Sequence, residues 1–228
     1  MSGPRSEPGE SQMDVSEVVQ RLEEDIVFGI LHPRERLIED ELRARFGIKR
    51  HVVRQVLAEL EQIGLVERKK NVGAYVKAYT VQEVIDLYSV REILETSAVQ
   101  KIPMPVPEAR LGRLIEIQGA HDRAVAEGDL RTAFRTNLDF HRALFSLTEN
   151  AVLAAAIEDY AQRTHAIRSI SVTVPETLEQ ARKEHWSMIE ALREGRRDEL
   201  IEVCRVHLRP SPDAYIAQYR QREAARPH

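Results

Sequence analysis

Residues 37–76 read LIEDELRARFGIKRHVVRQVLAELEQIGLVERKKNVGAYV, and this stretch decides the fold. Two short helical patterns meet at Phe46-Gly47-Ile48, where glycine permits a tight turn. The spacing predicts one helix over 39–47 and a second over 50–63, with Val53, Val56, Leu57 and Leu60 as the buried stripe of the second. Arg50, His51, Arg54 and Gln55 fall largely outside that stripe. Gly64 suits a helix C-cap, and residues 65–68 and 74–77 read as a hairpin around the turn from Asn71 to Gly73. Helix, turn, helix and basic ribbon in that order make a helix-turn-helix with a wing, a device that lays one helix in the major groove of DNA.

The charge pattern agrees with this reading. The whole chain carries a formal net charge of −4, which argues against indiscriminate nucleic-acid binding. Between Arg43 and Arg54, however, stand Arg43, Arg45, Lys49, Arg50 and Arg54 with no acidic residue among them. A charge run alone is a solvated helix face; joined to the glycine turn and the basic wing, it marks a surface for double-stranded DNA. The residues expected to touch DNA are Arg43, Lys49, Arg50, Arg54, Lys70 and Asn71.

Outside this stretch the chain reads as helical. Its 228 residues allow two modest domains, and 43% apolar, 31% charged and 5% aromatic residues fit a soluble, helix-rich protein. No apolar run approaches the roughly 20 residues that span a bilayer. Residues 1–13 are rich in Gly, Pro, Ser and Glu, without the apolar core of a signal peptide, and are expected to form a disordered tail. The single cysteine, Cys204, excludes an internal disulfide framework and fits a cytoplasmic location.

A first helix is expected over 15–31, with Val18, Val19, Leu22, Ile26 and Ile30 on its buried face. After Tyr79, Thr80 and Glu83 form a capping-box pattern ahead of a stripe of Val84, Leu87, Tyr88, Ile93 and Leu94. The proline-rich segment 103–107 ends that helix, and further helices are expected over 108–127, 130–147, 151–171, 175–193 and 198–208. Pro210 and Pro212 interrupt the last, with a resumption over 215–223. The expected architecture is mainly α. A winged helix-turn-helix domain spans 14–78, and an antiparallel bundle of about six helices spans 79–228.

These residues resemble the GntR family of bacterial transcription regulators, in the FadR-like branch with a helical FCD ligand domain. The resemblance rests on residues 37–42, 47–50, 53–57, Leu60, 64–66 and 73–76 in the first half. In the second it rests on residues 91–95, Phe140-His141, Asn150, Glu184-His185 and His207. Two departures are Arg34, where glycine commonly follows the proline, and Asp40, at a position that is sometimes basic. The resemblance implies a homodimer that reads a palindromic operator and senses a small carboxylate effector. It also implies a divalent metal, Zn²⁺ or Ni²⁺, at Asn137, His141, His185 and His207.

Spacing supports that set: Asn137 and His141 share one helical face, and a bundle can bring His185 and His207 to it from other helices. Asp139 cannot replace Asn137, because a two-residue offset from His141 turns it about 160° away. The neutral amide at 137 leaves two arrangements open, a weakly held metal or a cavity that takes its effector without one. Arg91 and Arg168 are the expected effector contacts, although Arg91 is also spaced for an ordinary ion pair with Glu95. Cys204, one turn before His207, reads as a buried bystander. Two other functions compete. A metal-dependent enzyme would need a general base near the histidines, and no His-Glu-x-x-His pattern is present. An architectural DNA-binding protein would use its helical half only to dimerise.

Overall fold

The computed structural model describes residues 13–70 and 72–224. The expected tail, Met13 apart, and Asn71 lie outside the described residues.

Helix α1 (Val15–Val27) opens on a capping box, Asp14 accepting from the Glu17 backbone N–H at 2.8 Å and Glu17 from that of Asp14 at 3.1 Å. It buries Val18, Leu22 and Ile26 but stops at Val27, short of residue 31, because the chain turns through Gly29 at φ +69°. Ile30, expected on the buried stripe, is therefore 58% exposed. Strand β1 (Arg36–Leu37), α2 (Glu39–Phe46), α3 (Arg50–Gln62), β2 (Val66–Lys69) and β3 (Gly73–Val76) follow. Gly47 ends α2 in the left-handed region at φ +65°, the conformation the tight turn requires.

The wing is an antiparallel sheet in the order β1-β3-β2, with Val66 opposite Val76 and Arg36 opposite Tyr75. The sequence reading lacks β1, since two residues are too few to display an alternation. Arg34 leads into it at φ +71° and donates its backbone N–H to Val76 O at 2.9 Å. This left-handed conformation gives the physical reason for glycine at that position.

Beyond Tyr79 the described residues form α4 (Val81–Lys101), α5 (Glu108–Glu127), α6 (Leu130–Ser146), α7 (Ala151–Arg163), α8 (His165–Arg168), α9 (Pro175–Glu194), α10 (Arg197–His207) and α11 (Pro210–Ala224). That is more than the six expected, for two reasons. The stretch 151–171 breaks at the buried Thr164, whose hydroxyl turns back to Ala161 O at 2.8 Å. Pro210 and Pro212 open α11 rather than interrupt it, because the first turn of a helix has no use for their missing N–H groups.

The capping box at Thr80 and Glu83 is present, but the buried face of α4 is Val84, Tyr88, Arg91, Glu95 and Ala98. Ile93, expected inside, is 62% exposed. Three-and-four steps from Val84 arrive at Arg91 and Glu95, and their ion pair of 2.8 Å makes it possible to bury both charges.

Two hydrophobic clusters hold the molecule together. The first packs α1, α2, α3 and the wing and continues through Tyr79, Val84, Ile167, Leu208 and Tyr215 into the helical half. The second fills the bundle, with Leu111, Phe140, Leu144, Met188, Ile189 and Leu192 among its buried members. Polar contacts tie the halves where these surfaces meet. The Tyr79 hydroxyl lies 2.8 Å from the carbonyl oxygens of both Gly64 and Arg163. Glu23 of α1 meets His165 Nδ1 at 2.6 Å, while the buried Glu24 pairs with Arg131 and Arg135 of α6. Among the described residues no helix is long and apolar enough to cross a membrane.

Arg34→Gly should stabilise the fold by up to about 1 kcal/mol. It removes a left-handed penalty of roughly 1–2 kcal/mol and concedes a smaller gain in unfolded-state entropy. Urea denaturation followed by circular dichroism checks this; a lower midpoint would mean that the Arg34 side chain supplies more than its backbone costs.

Candidate functional site

The first candidate surface is the face of α3 and the wing. Val53, Val56, Leu57 and Leu60 turn inward against α1, which leaves Lys49, Arg50 and Arg54 outside. Two acids at the start of α2 receive the basic side chains. Asp40 pairs with Arg43 at 3.0 Å and Arg50 at 3.3 Å, and Glu39 with Arg54 at 3.5 Å and Arg50 at 3.8 Å. Hydrogen bonds from Arg43 and then Arg50 hold the Asp40 carboxyl below its ordinary value. All these groups are exposed or partly so, and such pairs are weak enough to re-form on phosphates. Arg45 behaves differently: it reaches back 2.5 Å to the buried Asp25 of α1 and so is spent within the fold.

Between α3 and the wing runs a cleft of about 910 Å³ whose walls include Arg54, Arg68, Lys69 and Lys70. Arg36 enters the same cleft and donates to Val72 O at 3.0 Å. Sequence reasoning missed Arg36, because β1 was not legible.

The second candidate lies inside the bundle. His141 (α6), His185 (α9) and His207 (α10) each offer one ring nitrogen, and the three nitrogens lie within 4.8 Å of one another. The Nε2 atoms of His141 and His207 are 3.0 Å apart. Two rings are oriented from behind. The Gln118 amide nitrogen donates to Asp122 at 2.8 Å, which leaves its oxygen to accept from His185 Nδ1 at 2.8 Å. Glu184 accepts from His207 Nδ1 at 2.7 Å. Each Nδ1 therefore carries a hydrogen and each Nε2 presents a lone pair, the arrangement that outer carboxylates and amides impose on metal-binding histidines. His185 Nε2 is buried and has no partner among the described residues.

Burial first, and the neighbouring His207 second, push the His141 and His185 pKa values well below the usual histidine range, so both rings are neutral donors at neutral pH. Three converging imidazole nitrogens suit Zn²⁺ or Ni²⁺, and the residues present fit such an ion.

Two cavities flank the cluster. One of about 70 Å³ is bordered by His121, Asn137, Arg168, Glu184 and His207. The other, of about 120 Å³, is bordered by Arg91, Glu95, His141 and again Arg168. The structure thus brings Asn137 to the cavity that His207 borders, while Asp139 points away and pairs with Arg142 at 3.1 Å. Arg91 is committed within the fold, to Glu95 and, at 3.0 Å, to the Thr164 hydroxyl. Arg168 has no carboxylate within salt-bridge distance among the described residues. Its pKa is lowered by burial and by the positive charge of Arg91. Cys204 is buried in the bundle core and its thiol pKa is raised by that burial.

Sequence reasoning missed Gln118 and His121 on α5. A signal existed: Leu111, Leu114, Gln118 and His121 follow one another at three-and-four spacing, so two polar residues occupy a stripe that is otherwise apolar.

Known proteins resemble this chain in sequence and in fold. The sequence matches the FCD domain over residues 86–210, and the family described as bacterial regulatory proteins, gntR family, over residues 15–76. It is 21% identical over 205 residues to the HTH-type transcriptional repressor RspR of Escherichia coli K12, covering 90% of both chains. To the HTH-type regulator YdhC of Bacillus subtilis it is 26% identical over 179 residues, covering 78% of this chain and 80% of that one. In structure it is similar to a GntR transcriptional regulator from Rhodococcus sp. RHA1, with a TM-score of 0.74 at 20% identity over 90% of this chain and 98% of that one. It is also similar to McbR/YncC of E. coli, with a TM-score of 0.70 at 22% identity over 92% and 98%. RspR, YdhC and the Rhodococcus protein are described as transcription regulators, not enzymes, and the chain belongs with them: it is a member of the gntR family of bacterial regulators, with a winged helix-turn-helix and an FCD domain.

Proposed function

We propose that this DNA-binding regulator is a one-component sensor. Its winged domain, residues 14–78, reads a palindromic operator as one half of a homodimer, and its helical domain, residues 79–228, takes up a small carboxylate. The observation that carries the sensor reading is the histidine cluster between two cavities, with two rings held in metal-ready tautomers and Arg168, which has no carboxylate at salt-bridge distance among the described residues, on the walls of both cavities. His141, His185 and His207 would hold Zn²⁺ or Ni²⁺, with Asn137 as a neutral neighbour. When bound, the ion supplies positive charge and open positions to a carboxylate. Arg168 supplies a second anchor for the same anion, and Arg91 with Glu95 fixes Thr164, where α7 gives way to α8. The homodimer is supported by the outer face of α4, where Ile85 and Ile93 are both exposed.

For DNA, Arg43, Lys49, Arg50, Arg54, Lys70 and Asn71 are the proposed contacts, with Arg36 beside them. Arg54→Ala should weaken operator binding by about 1–3 kcal/mol if Arg54 reads a base, while leaving the fold intact. The operator comes from selection out of a random duplex library, and binding is read by fluorescence anisotropy at fixed salt. Unchanged affinity in a folded variant would remove α3 as the reading helix.

Calorimetric titration of Ni²⁺ or Zn²⁺ into metal-stripped protein tests the cluster. Wild type should bind one ion per chain, His185→Ala should lose most of that affinity, and Asn137→Asp should gain affinity through its added negative charge. Identical titrations for all three proteins would make the histidines structural. In the metal-free protein, the lowered His141 and His185 pKa values mean that the unfolded chain binds protons first. Stability should therefore be fully present above about pH 6.5 and fall as the pH drops below it. Urea midpoints from pH 8 to 5 read this, and His141→Phe should make the fall shallower.

Sedimentation at micromolar concentration without DNA should give a dimer for the wild type, and a dissociation constant at least about tenfold weaker for Ile93→Glu. A monomeric wild type would remove the homodimer; an unaltered variant would move the contact off this face of α4.

A further inference from the structure

His121 is 1% exposed and borders the smaller cavity, yet the metal reading assigns it no role. Its Nδ1 lies 3.1 Å from Ala133 O and 3.1 Å from Thr136 Oγ1. The Thr136 hydroxyl is itself 2.7 Å from Thr132 O, to which it donates. Both groups facing Nδ1 therefore act as acceptors, and Nδ1 carries the ring hydrogen. That leaves Nε2 as a bare lone pair, buried and without a partner among the described residues. A buried acceptor left unpaired is costly, so a donor is favoured at that place.

The metal does not fill this need. The nitrogens within 4.8 Å of one another belong to His141, His185 and His207, and His121 is outside that group although its ring is packed against His185. The same cavity is bordered by Glu184, which His207 engages, and by Arg168, which has no carboxylate at salt-bridge distance among the described residues. One wall thus asks for an anion and another for a hydrogen-bond donor, within a volume of about 70 Å³.

We infer that His121 is a specificity-determining residue that accepts a hydrogen bond from a hydroxyl of the effector, and that the regulator therefore responds to a short hydroxycarboxylate. This rests on the carboxylate-sensor reading above. The carboxylate meets Arg168 and the metal-bearing side, and the hydroxyl donates to His121 Nε2. An acid of the same length without the hydroxyl leaves that nitrogen unpaired and binds more weakly.

The test uses the full chain loaded with Ni²⁺ and two matched pairs of probes, glycolate against acetate and malate against succinate, by calorimetry and thermal shift. The hydroxy acid of at least one pair should bind about tenfold or more tightly than its partner. His121→Asn keeps a donor where Nδ1 stands and removes the distal acceptor. It should bring the two acids to equal affinity while leaving Ni²⁺ binding and the affinity for the simple acid unchanged. His121→Gln, which places an amide oxygen near the position of Nε2, should retain part of the preference and guards against a merely misfolded variant. Equal binding of the matched acids by wild type, or a preference that survives in folded His121→Asn, overturns the inference and leaves the carboxylate sensor standing. Loss of Ni²⁺ binding in His121→Asn equal to that in His141→Ala overturns it too, in favour of a fourth metal ligand. If none of the four acids binds wild type, and Arg168→Ala behaves like wild type, the sensor reading falls and this inference with it.

Discussion

The break at Thr164 is the constraint on which the arrangement of both halves depends. A continuous helix over 151–171 would carry His165 and Arg168 along the axis of α7. Instead the buried Thr164 hydroxyl turns back to Ala161 O and receives the Arg91 guanidinium at 3.0 Å, and a separate turn of helix begins. That turn has two ends with different partners. His165, at its start, is buried against Phe134 and meets Glu23 of α1 at 2.6 Å. Arg168, at its end, borders both cavities beside the histidines. Since α1 packs directly on α3, one short element touches both the cavity wall and the helix that supports the DNA-facing surface. Arg91 and Glu95 matter here as the fixed frame, because a buried, mutually compensated pair is costly to disturb from one side.

Charge is distributed in opposite ways at the two sites. On the DNA-facing surface the arginines are exposed and shared among Glu39 and Asp40, pairs that solvent screens and that exchange readily for phosphate. In the bundle Arg168 is partly buried with no carboxylate at salt-bridge distance among the described residues, and His141 and His185 are neutral. The first surface is therefore suited to reversible, salt-dependent contact over a wide area. The second is suited to one small anion held tightly in one place.

Much of the fold was legible because local rules and tertiary packing agree. Gly47 had to be left-handed, Thr80 and Glu83 had to cap, and the stripe of α3 had to face inward; each is set by a few neighbouring residues. The failures come where a distant partner overrides the local pattern. Ile93 is apolar but lies off the stripe that Arg91 and Glu95 occupy, and only their ion pair allows charges to take the inner face. β1 exists because β3 pairs with it, not because of anything in its two residues. The break at Thr164 depends on Arg91, 73 positions away. In the cavity, the three histidines were legible through resemblance and helical spacing, whereas Gln118 and His121 lay on a helix that carried no motif. Their one trace was polarity on an otherwise apolar face.

The neutral Asn137 sharpens the chemistry of the proposed site. A carboxylate there would offset part of the charge of a dication before any effector arrives. With an amide, the compensating charge at hand is Glu184, whose carboxyl burial raises, but which its contacts with His207 and Gln180 together lower below the ordinary value, so that it remains ionised. That single charge acts through a ring and not at the ion. Arg168 adds positive charge on the same cavity wall. A dication in this setting is short of anionic partners, and each missing charge raises the gain from an incoming carboxylate. In the proposed site, the amide at 137 that would weaken the hold on a metal would also strengthen the coupling between metal and effector, because the effector would supply the negative charge that the protein does not.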